Sequence, residues 1–204
     1  MINDKISNFI LKLDTSKIPR SRIKALDLLI QQVRICLNKG ISTQLNFICT
    51  NNSRRSQLGQ VWGFFAANYF DLNINSFSGG TEVTAFFRNT VKTLQMVGFS
   101  FNLENFSHQN PKYIISFEGT SKYILGYSKR YDNEENKNPF IAITTCNNAD
   151  TNCPFIPEAL LRFHLPFVDP KSSDETDLQD ETYLKTNQQI AAEIYYIFSE
   201  IKKG

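Results

Sequence analysis

The sequence lacks a long apolar run and has almost no excess charge of either sign. No segment reaches the roughly 20 consecutive apolar residues that a membrane-spanning helix needs. The 22 basic and 20 acidic residues leave a net charge of +2, which gives no electrostatic reason to expect binding to nucleic acid or to a membrane. The charged first residues are not followed by the apolar core of a secretory signal. We therefore expect a cytoplasmic protein with neither kind of partner.

Cysteine and histidine are also scarce, with four Cys and two His in 204 residues. Cysteines rarely form structural disulfides in a reducing compartment. Cys146 and Cys153, separated by six residues, do not have zinc-ligand spacing, and His108 and His164 form no ligand motif. We predict no metal site and no tightly bound cofactor. The two cysteines are either a labile redox pair or chemically inert.

The apolar pattern divides the chain into two parts. Residues 1–40 show two runs at helical spacing, separated by Pro19 and ended by Gly40, which predicts a two-helix N-terminal extension. Residues 41–204 alternate short apolar strands with helices, which predicts an α/β domain with a parallel sheet covered on both faces. The predicted strands are 45–49, 72–78, 113–117, 123–127, 140–145 and 163–168, and the predicted helices are 57–69, 84–97 and 182–201.

Three reactive side chains follow predicted strands. Cys49 ends the first strand, Cys146 follows the strand that begins at residue 140, and Asp169 follows the last one. Ligands of such sheets bind beyond the carboxyl ends of the strands. We therefore expect these three residues to meet at one edge of the sheet.

The segment 49–56 has the composition of an oxyanion-binding loop. A loop before a helix turns several backbone N–H groups toward one centre, and the helix dipole adds positive charge there. Arg55 can hold two oxygens of an anion with its planar guanidinium group. The same field favours a nucleophilic thiolate at Cys49. The predicted anion loop consists of Thr50, Asn51, Asn52, Ser53, Arg54 and Ser56, together with Arg55.

Each of these residues also has a plain structural interpretation. Cys49 can be a buried cysteine that packs as a small apolar residue. Asp169 precedes a proline and can be a turn residue. Arg54 is most simply a surface residue near the mouth of the loop. The polar segment between Cys146 and Cys153 is predicted to be mobile.

Three motifs together resemble one enzyme superfamily. FICTNNSRRSQLGQVW, beginning at Phe47, is similar to the opening signature of the low-molecular-weight protein tyrosine phosphatases, and most of all to their thioredoxin-coupled arsenate reductase branch. TTCNNADTNCP (144–154) resembles the reductase segment with two further redox cysteines. FVDP (167–170) resembles the Asp-Pro of the general acid. The motifs stand in family order over about residues 45–201.

The resemblance implies a three-layer sandwich with a parallel four-stranded, flavodoxin-like sheet, and it implies catalytic roles. Cys49 would be the nucleophile, Arg55 the oxyanion clamp and Asp169 the general acid. Asn52 and Ser56 would shape the loop and tune the thiolate. Cys146 and Cys153 would resolve the covalent intermediate by thiol–disulfide exchange. Four departures stand out: Asn51 replaces the usual Gly, Arg54 replaces a second loop cysteine, residues 171–173 lack the aromatic pair of the phosphatases, and residues 165–166 are Leu-Pro where the reductases carry a Trp.

Three functions remain open at this point. The first is reduction of arsenate to arsenite, with regeneration by thioredoxin or a similar thiol reductant. The second is phosphomonoester hydrolysis through a cysteinyl-phosphate, which needs only Cys49, Arg55 and Asp169. The third is an oxyanion sensor that binds without turnover. The small ligand is arsenate or phosphate, or a phosphomonoester.

Overall fold

The fold is built on a parallel sheet with helices on both faces. The computed structural model describes residues 4–41, 43–152 and 155–204. In chain order, its elements are α1 (Asp4–Leu11), α2 (Arg20–Asn38), β1 (Thr43–Cys49), α3 (Arg55–Tyr69), β2 (Ile74–Gly80), α4 (Arg88–Met96), β3 (Phe99–Asn105), β4 (Lys112–Phe117), β5 (Ile124–Gly126), β6 (Phe140–Thr144), α5 (Asn147–Asn152), β7 (Ala159–His164) and α6 (Gln179–Lys203). Within the described part of the chain, no helix is long and apolar enough to cross a membrane.

The central sheet has four parallel strands in the order β2-β1-β6-β7. The two inner strands are the most apolar: all of β6 is buried, and so is all of β1 except Gln44. Such runs are typical of strands covered on both faces. The pairing sets Cys49 opposite Gly80 and Ile48 opposite Thr144. The predicted α/β class with a parallel four-stranded sheet is confirmed.

Helix α3 lies unusually close to the sheet because two of its residues are glycines. A Cβ atom on Gly59 would stand 2.5 Å from the Phe47 ring, and one on Gly63 would stand 2.5 Å from Ser76 Oγ. Both distances are shorter than a van der Waals contact. Glycine, which has no side chain, is therefore required at both positions. This close packing fixes where α3 begins, and therefore where the loop between β1 and α3 must turn.

The N-terminal helices contribute to the main core. Ile6 and Leu26 are fully buried in the same apolar cluster as the sheet residues. Phe9 stacks on Trp62 with ring centroids 5.2 Å apart, and Arg22 pairs with Glu193 of α6 at 2.8 Å. The division of the chain at residue 40 stays a prediction, but the packing leaves no gap between the two parts.

Residues 99–126 form a second sheet that the sequence pattern did not predict. The strands expected at 113–117 and 123–127 are present as β4 and β5, but they pair antiparallel with β3 in the order β3-β4-β5, outside the parallel sheet. The strand β3 alternates apolar residues at Phe99, Phe101 and Leu103, a strand pattern that the sequence analysis overlooked; its second half is exposed.

The last predicted strand was wrong in its bounds. The strand expected at 163–168 is Ala159–His164, since Pro166 has no N–H to donate to a ladder. Leu165 and Phe167 still donate to the carbonyls of Thr144 and Thr145. Residues 147–152, in the segment predicted to be mobile, form the helix α5 with Asp150 in its first turn, where a negative charge suits the helix dipole; the mobility stays a prediction.

We expect Ile6→Ala to lower the free energy of unfolding by about 2–5 kcal/mol, because it leaves a cavity in the shared core. Leu11→Ala on the same helix should change it by less than about 0.5 kcal/mol, since Leu11 is 83% exposed. Urea unfolding followed by Trp62 fluorescence measures both. An unchanged transition for Ile6→Ala would show that the N-terminal helices are not part of the main folding unit.

Candidate active site

In the described part of the chain, the loop between β1 and α3 leaves a run of backbone N–H groups without recorded acceptors. Asn52 adopts a left-handed conformation with φ of 45°, which Asn tolerates better than most residues. Among the described residues, no hydrogen-bond acceptor is recorded for the backbone N–H groups of residues 50–54. The same is true of the buried Arg55 Nε. These donors are gathered at the N-terminus of α3 and are available to a ligand.

Two buried polar residues hold the thiol of Cys49. Cys49 Sγ lies 3.0 Å from Ser56 Oγ, and Asn52 Nδ2 donates to the same hydroxyl at 2.9 Å. With Asn52 as a donor to its oxygen, Ser56 is left to donate its proton toward sulfur. A hydrogen bond of this kind is stronger when its acceptor carries a charge. Cys49 itself is only 4% exposed.

The back of the loop is braced by a segment far away in sequence. The backbone N–H of Lys129 donates to Asn52 Oδ1 at 2.9 Å, and Ser128 Oγ donates to the carbonyl of Asn51 at 2.9 Å. Gln57 Nε2 reaches the carbonyls of Asn52 at 3.0 Å and Tyr127 at 2.8 Å. All these contacts are made to the outside of the loop, so the N–H groups on its inner side stay unoccupied.

Gly80 allows the loop to approach the end of β2. A Cβ atom at this position would lie 2.7 Å from the carbonyl oxygen of Thr50 and 2.8 Å from the backbone nitrogen of Asn52. The following residues then bond to the loop: Thr81 N–H donates to the Cys49 carbonyl at 3.3 Å, and Glu82 N–H to the Thr50 carbonyl at 2.9 Å.

Arg55 and Asp169 meet at the mouth of the loop. One guanidinium nitrogen of Arg55 is paired with the Asp169 carboxylate, and another donates to the carbonyl of Phe167 at 3.1 Å. The Asp169 side chain is 38% exposed and the Arg55 side chain 13%. Asp169 also accepts from Lys171 N–H at 3.1 Å, as the N-cap of a short 3-10 turn. Asp169 is therefore a turn residue, and it also contacts Arg55 at the candidate site.

Arg54 is not the surface residue that the sequence suggested. Its side chain is 11% exposed, donates to Tyr183 and to Asp174 at 2.5 Å each, and lies over the Phe87 ring at 3.9 Å. Burial and the hydrogen bond to Asp174 raise the pKa of Tyr183 well above its ordinary value. Arg54 thus joins the loop to α6 and to the segment that follows Asp169.

Cys146 lies next to the loop on the other side from Arg55. Thr50 Oγ1 is 3.6 Å from Cys146 Sγ, and Ala149 N–H donates to the same sulfur at 3.4 Å. Cys49 and Cys146 pack in one small apolar cluster, and both are 4% exposed. Both are free thiols. Cys153, the other predicted redox cysteine, lies outside the described residues.

The structure thus brings Cys49, Arg55, Asp169 and Cys146 together at the carboxyl edge of the sheet, around the loop of residues 50–56. No cluster of three or more His, Cys, Asp or Glu side chains suited to a metal ion occurs in the described part of the chain. The sequence analysis missed Asp174, Tyr183, Ser128 and Lys129. No motif marks them, because their partners lie between 75 and 130 positions away in sequence.

A strand-end thiol, a ring of unoccupied N–H groups and an arginine at a helix N-terminus define a class of α/β oxyanion-handling proteins. No protein-family model matches the chain. Two curated relatives are the arsenate reductases of Brevibacillus brevis, 28% identical over 133 residues, and Staphylococcus aureus strain Newman, 29% identical over 133 residues. Each alignment covers 65% of this chain, and 81% and 82% of the relative, respectively.

Solved structures with the same fold are low-molecular-weight protein tyrosine phosphatases. The one from T. tengcongensis has a TM-score of 0.53 at 14% identity, covering 78% of this chain and 99% of the other. The one from Bacillus subtilis has a TM-score of 0.51 at 13% identity, covering 79% and 98%. The resemblance to the low-molecular-weight phosphatase superfamily, with its arsenate reductase branch, is confirmed. So is the prediction that the chain is an enzyme of this kind.

We expect Gly80→Ala to weaken binding of inorganic phosphate by at least about tenfold, since the new methyl group would push aside the loop backbone whose N–H groups receive the anion. It should also destabilise the fold by about 1–3 kcal/mol. Gly40→Ala is the control: it strains a backbone with φ of 70° but meets no atom within 4 Å, so phosphate affinity should not change. Isothermal titration calorimetry measures the affinity. Equal affinities for wild type and Gly80→Ala would contradict the assigned loop geometry.

Proposed function

We propose that this enzyme reduces arsenate to arsenite, with Cys49 as nucleophile and Cys146 as the first resolving thiol. One observation carries the proposal: a second buried free thiol, Cys146, packs beside the nucleophile and contacts the loop residue that follows it. A phosphatase needs one thiolate at such a site, whereas a thiol-based reductase needs two.

Arsenate binding uses donors that are left unoccupied. The N–H groups of residues 50–54 converge at the start of α3, where the helix dipole favours an anion. Arg55 keeps one nitrogen on Asp169 and another on the Phe167 carbonyl, and its partnerless Nε is buried at the same place. An oxyanion in the loop supplies the acceptor that this buried donor lacks, which favours binding.

The first chemical step forms a bond between sulfur and arsenic. The thiolate of Cys49, favoured by the Ser56 hydroxyl at 3.0 Å, attacks As(V). One As–O bond breaks, and that oxygen leaves as water after it takes a proton from Asp169 or from a solvent molecule. Asp169 is positioned for this because its pairing with Arg55 places the carboxyl group at the mouth of the loop.

The second step reduces arsenic. The thiolate of Cys146 attacks Cys49 Sγ, an S–S bond forms, and the S–As bond breaks with its electron pair on arsenic. As(V) becomes As(III) and leaves as arsenite, while the two thiols together lose two electrons. Cys153 then attacks Cys146, which transfers the disulfide to the Cys146–Cys153 pair and restores the Cys49 thiolate.

Turnover requires an external dithiol. We propose a thioredoxin-like reductant that accepts the oxidised Cys146–Cys153 pair, in a reducing, cytoplasmic setting. The short helix α5 lies between these two cysteines in the chain. With Cys146 buried under it, α5 must move or unwind before a macromolecular reductant can reach that sulfur.

A second candidate is phosphomonoester hydrolysis. The pairing of Asp169 with Arg55 at the loop mouth favours it, because a carboxyl group in that place can protonate the leaving alcohol of a cysteinyl-phosphate reaction. Arsenate and phosphate have the same shape and charge, so one loop suits both.

Single-turnover arsenate reduction by the fully reduced protein should consume two thiols for each arsenite formed. Cys146→Ser should yield less than about 1% of that arsenite without added thiols, because no disulfide with Cys49 can form. Cys36→Ser, which removes the thiol on α2, should behave as wild type. Thiol counting and arsenite assay give both numbers. Full arsenite yield from Cys146→Ser would exclude the reductase mechanism proposed above.

The hydrolytic alternative is tested by comparing two leaving groups. Asp169→Asn should lower kcat for phenyl phosphate by about a hundredfold, the usual effect of losing a general acid. The effect on p-nitrophenyl phosphate should be much smaller, since nitrophenolate leaves without a proton. Asp177→Asn, at an exposed position, is the control. An equal loss on both substrates would mean that Asp169 acts by holding Arg55.

Binding of phosphate or arsenate without turnover of any substrate would leave only an oxyanion sensor.

A further inference from the structure

A second cavity lies away from the active site, between α3, the first half of β2 and the segment 121–137. Its volume is about 690 Å³, which is within the range of small-molecule sites. Its walls combine an apolar part, which includes Phe64, Leu72, Phe77, Tyr123 and Ile124, with a polar and charged part. Ser76, on its sheet side, precedes Gly80 by four residues, so the cavity is about 13 Å along the strand from the loop. No lining residue comes from the segment 49–56.

Lys129 lines this cavity and is only 3% exposed. Within the described residues, no acceptor lies within hydrogen-bonding distance of its amine. The nearest recorded contact of the amine is the Tyr127 ring, with the centroid at 4.8 Å. Burial lowers the pKa of Lys129 to about 8. At neutral pH the cavity therefore holds a buried cation without a direct counter-ion.

The neighbouring carboxylate does not satisfy this cation. Glu135 is bonded to Lys112 at 2.8 Å and acts on Lys129 only through longer-range attraction. A ligand oxygen with negative charge would supply the acceptor that the Lys129 amine lacks.

We propose that this cavity binds a small amphiphile with an apolar body and a single carboxylate, which pairs with Lys129. The apolar part of the wall suits the body, and the unpaired amine suits the charge. The charged lining residues are Lys122, Lys129, Lys137, Glu134 and Glu135; three positive and two negative charges leave one positive charge, which matches a single carboxylate. The proposal is independent of the reaction at Cys49.

The primary test uses the unmodified protein and two probes of nearly equal shape. Calorimetric titration at pH 7 should show octanoate binding at one site per chain, at least about tenfold more tightly than uncharged octanamide. Tenfold is the scale of one charge-assisted hydrogen bond. No octanoate binding, or equal affinity for both probes, would overturn the proposal.

The second test assigns the charge to Lys129. Lys129→Met keeps the apolar stem and should reduce octanoate affinity to that of octanamide. Lys39→Met, at an exposed position outside the cavity lining, should have little effect. Circular dichroism verifies that the variants are folded. If Lys129→Met binds octanoate as tightly as wild type, the amine is not the anion partner and the proposal fails.

The pH dependence provides a test without any variant. Octanoate stays charged above pH 7, so affinity should fall as the pH rises through about 8 and Lys129 loses its proton. The fall should be absent in Lys129→Met and for octanamide. The other titratable groups around the amine are Lys112, Lys122, Tyr127, Glu134, Glu135 and Lys137. Since they are retained in Lys129→Met, a similar fall in that variant would assign the effect to them and contradict the proposal.

Discussion

The hydrogen bond from the Lys129 backbone N–H to Asn52 Oδ1 is the contact on which the site depends. Asn52 takes a left-handed conformation, at some energetic cost for any residue with a Cβ. The hydrogen bonds of its side chain offset that cost. Asn52 Oδ1 accepts from the Lys129 backbone N–H and from Gln57, and Asn52 Nδ2 donates to Ser56. These contacts fix the turn of the loop and hold the Ser56 hydroxyl beside the sulfur of Cys49.

Two adjacent arginines connect the loop to the segment that carries the candidate acid. Arg55 is paired with Asp169, and Arg54 is paired with Asp174, five residues further on. The two ion pairs lie at either end of the short 3-10 turn after Asp169. Because both start from the same loop, Cys49 and Asp169 are connected through two neighbouring ion pairs. Arg54 therefore has a structural role at this position.

The sequence was most informative where side chains act locally. The β1 run, the glycines of α3 and the order of polar residues in 49–56 are all neighbours in the chain, so the loop could be predicted. The three motifs follow strands of one parallel sheet, which was enough to predict that Cys49, Cys146 and Asp169 meet. The supports of the loop could not be predicted. Ser128, Lys129 and Asp174 contact it only because the chain folds back over 75 or more residues, and backbone donors leave no trace in sequence.

The segment that braces Asn52 also runs along the edge of the sheet. Gly80 and Lys129–Tyr131 exchange backbone hydrogen bonds, and the residues around them connect the second sheet to β6. A shortened version of the chain that joins β3 directly to β6 would therefore lose the donor to Asn52 and leave β2 as a bare edge strand. The segment around residue 129 thus supports two features at once, the shape of the loop after Cys49 and the outer edge of β2.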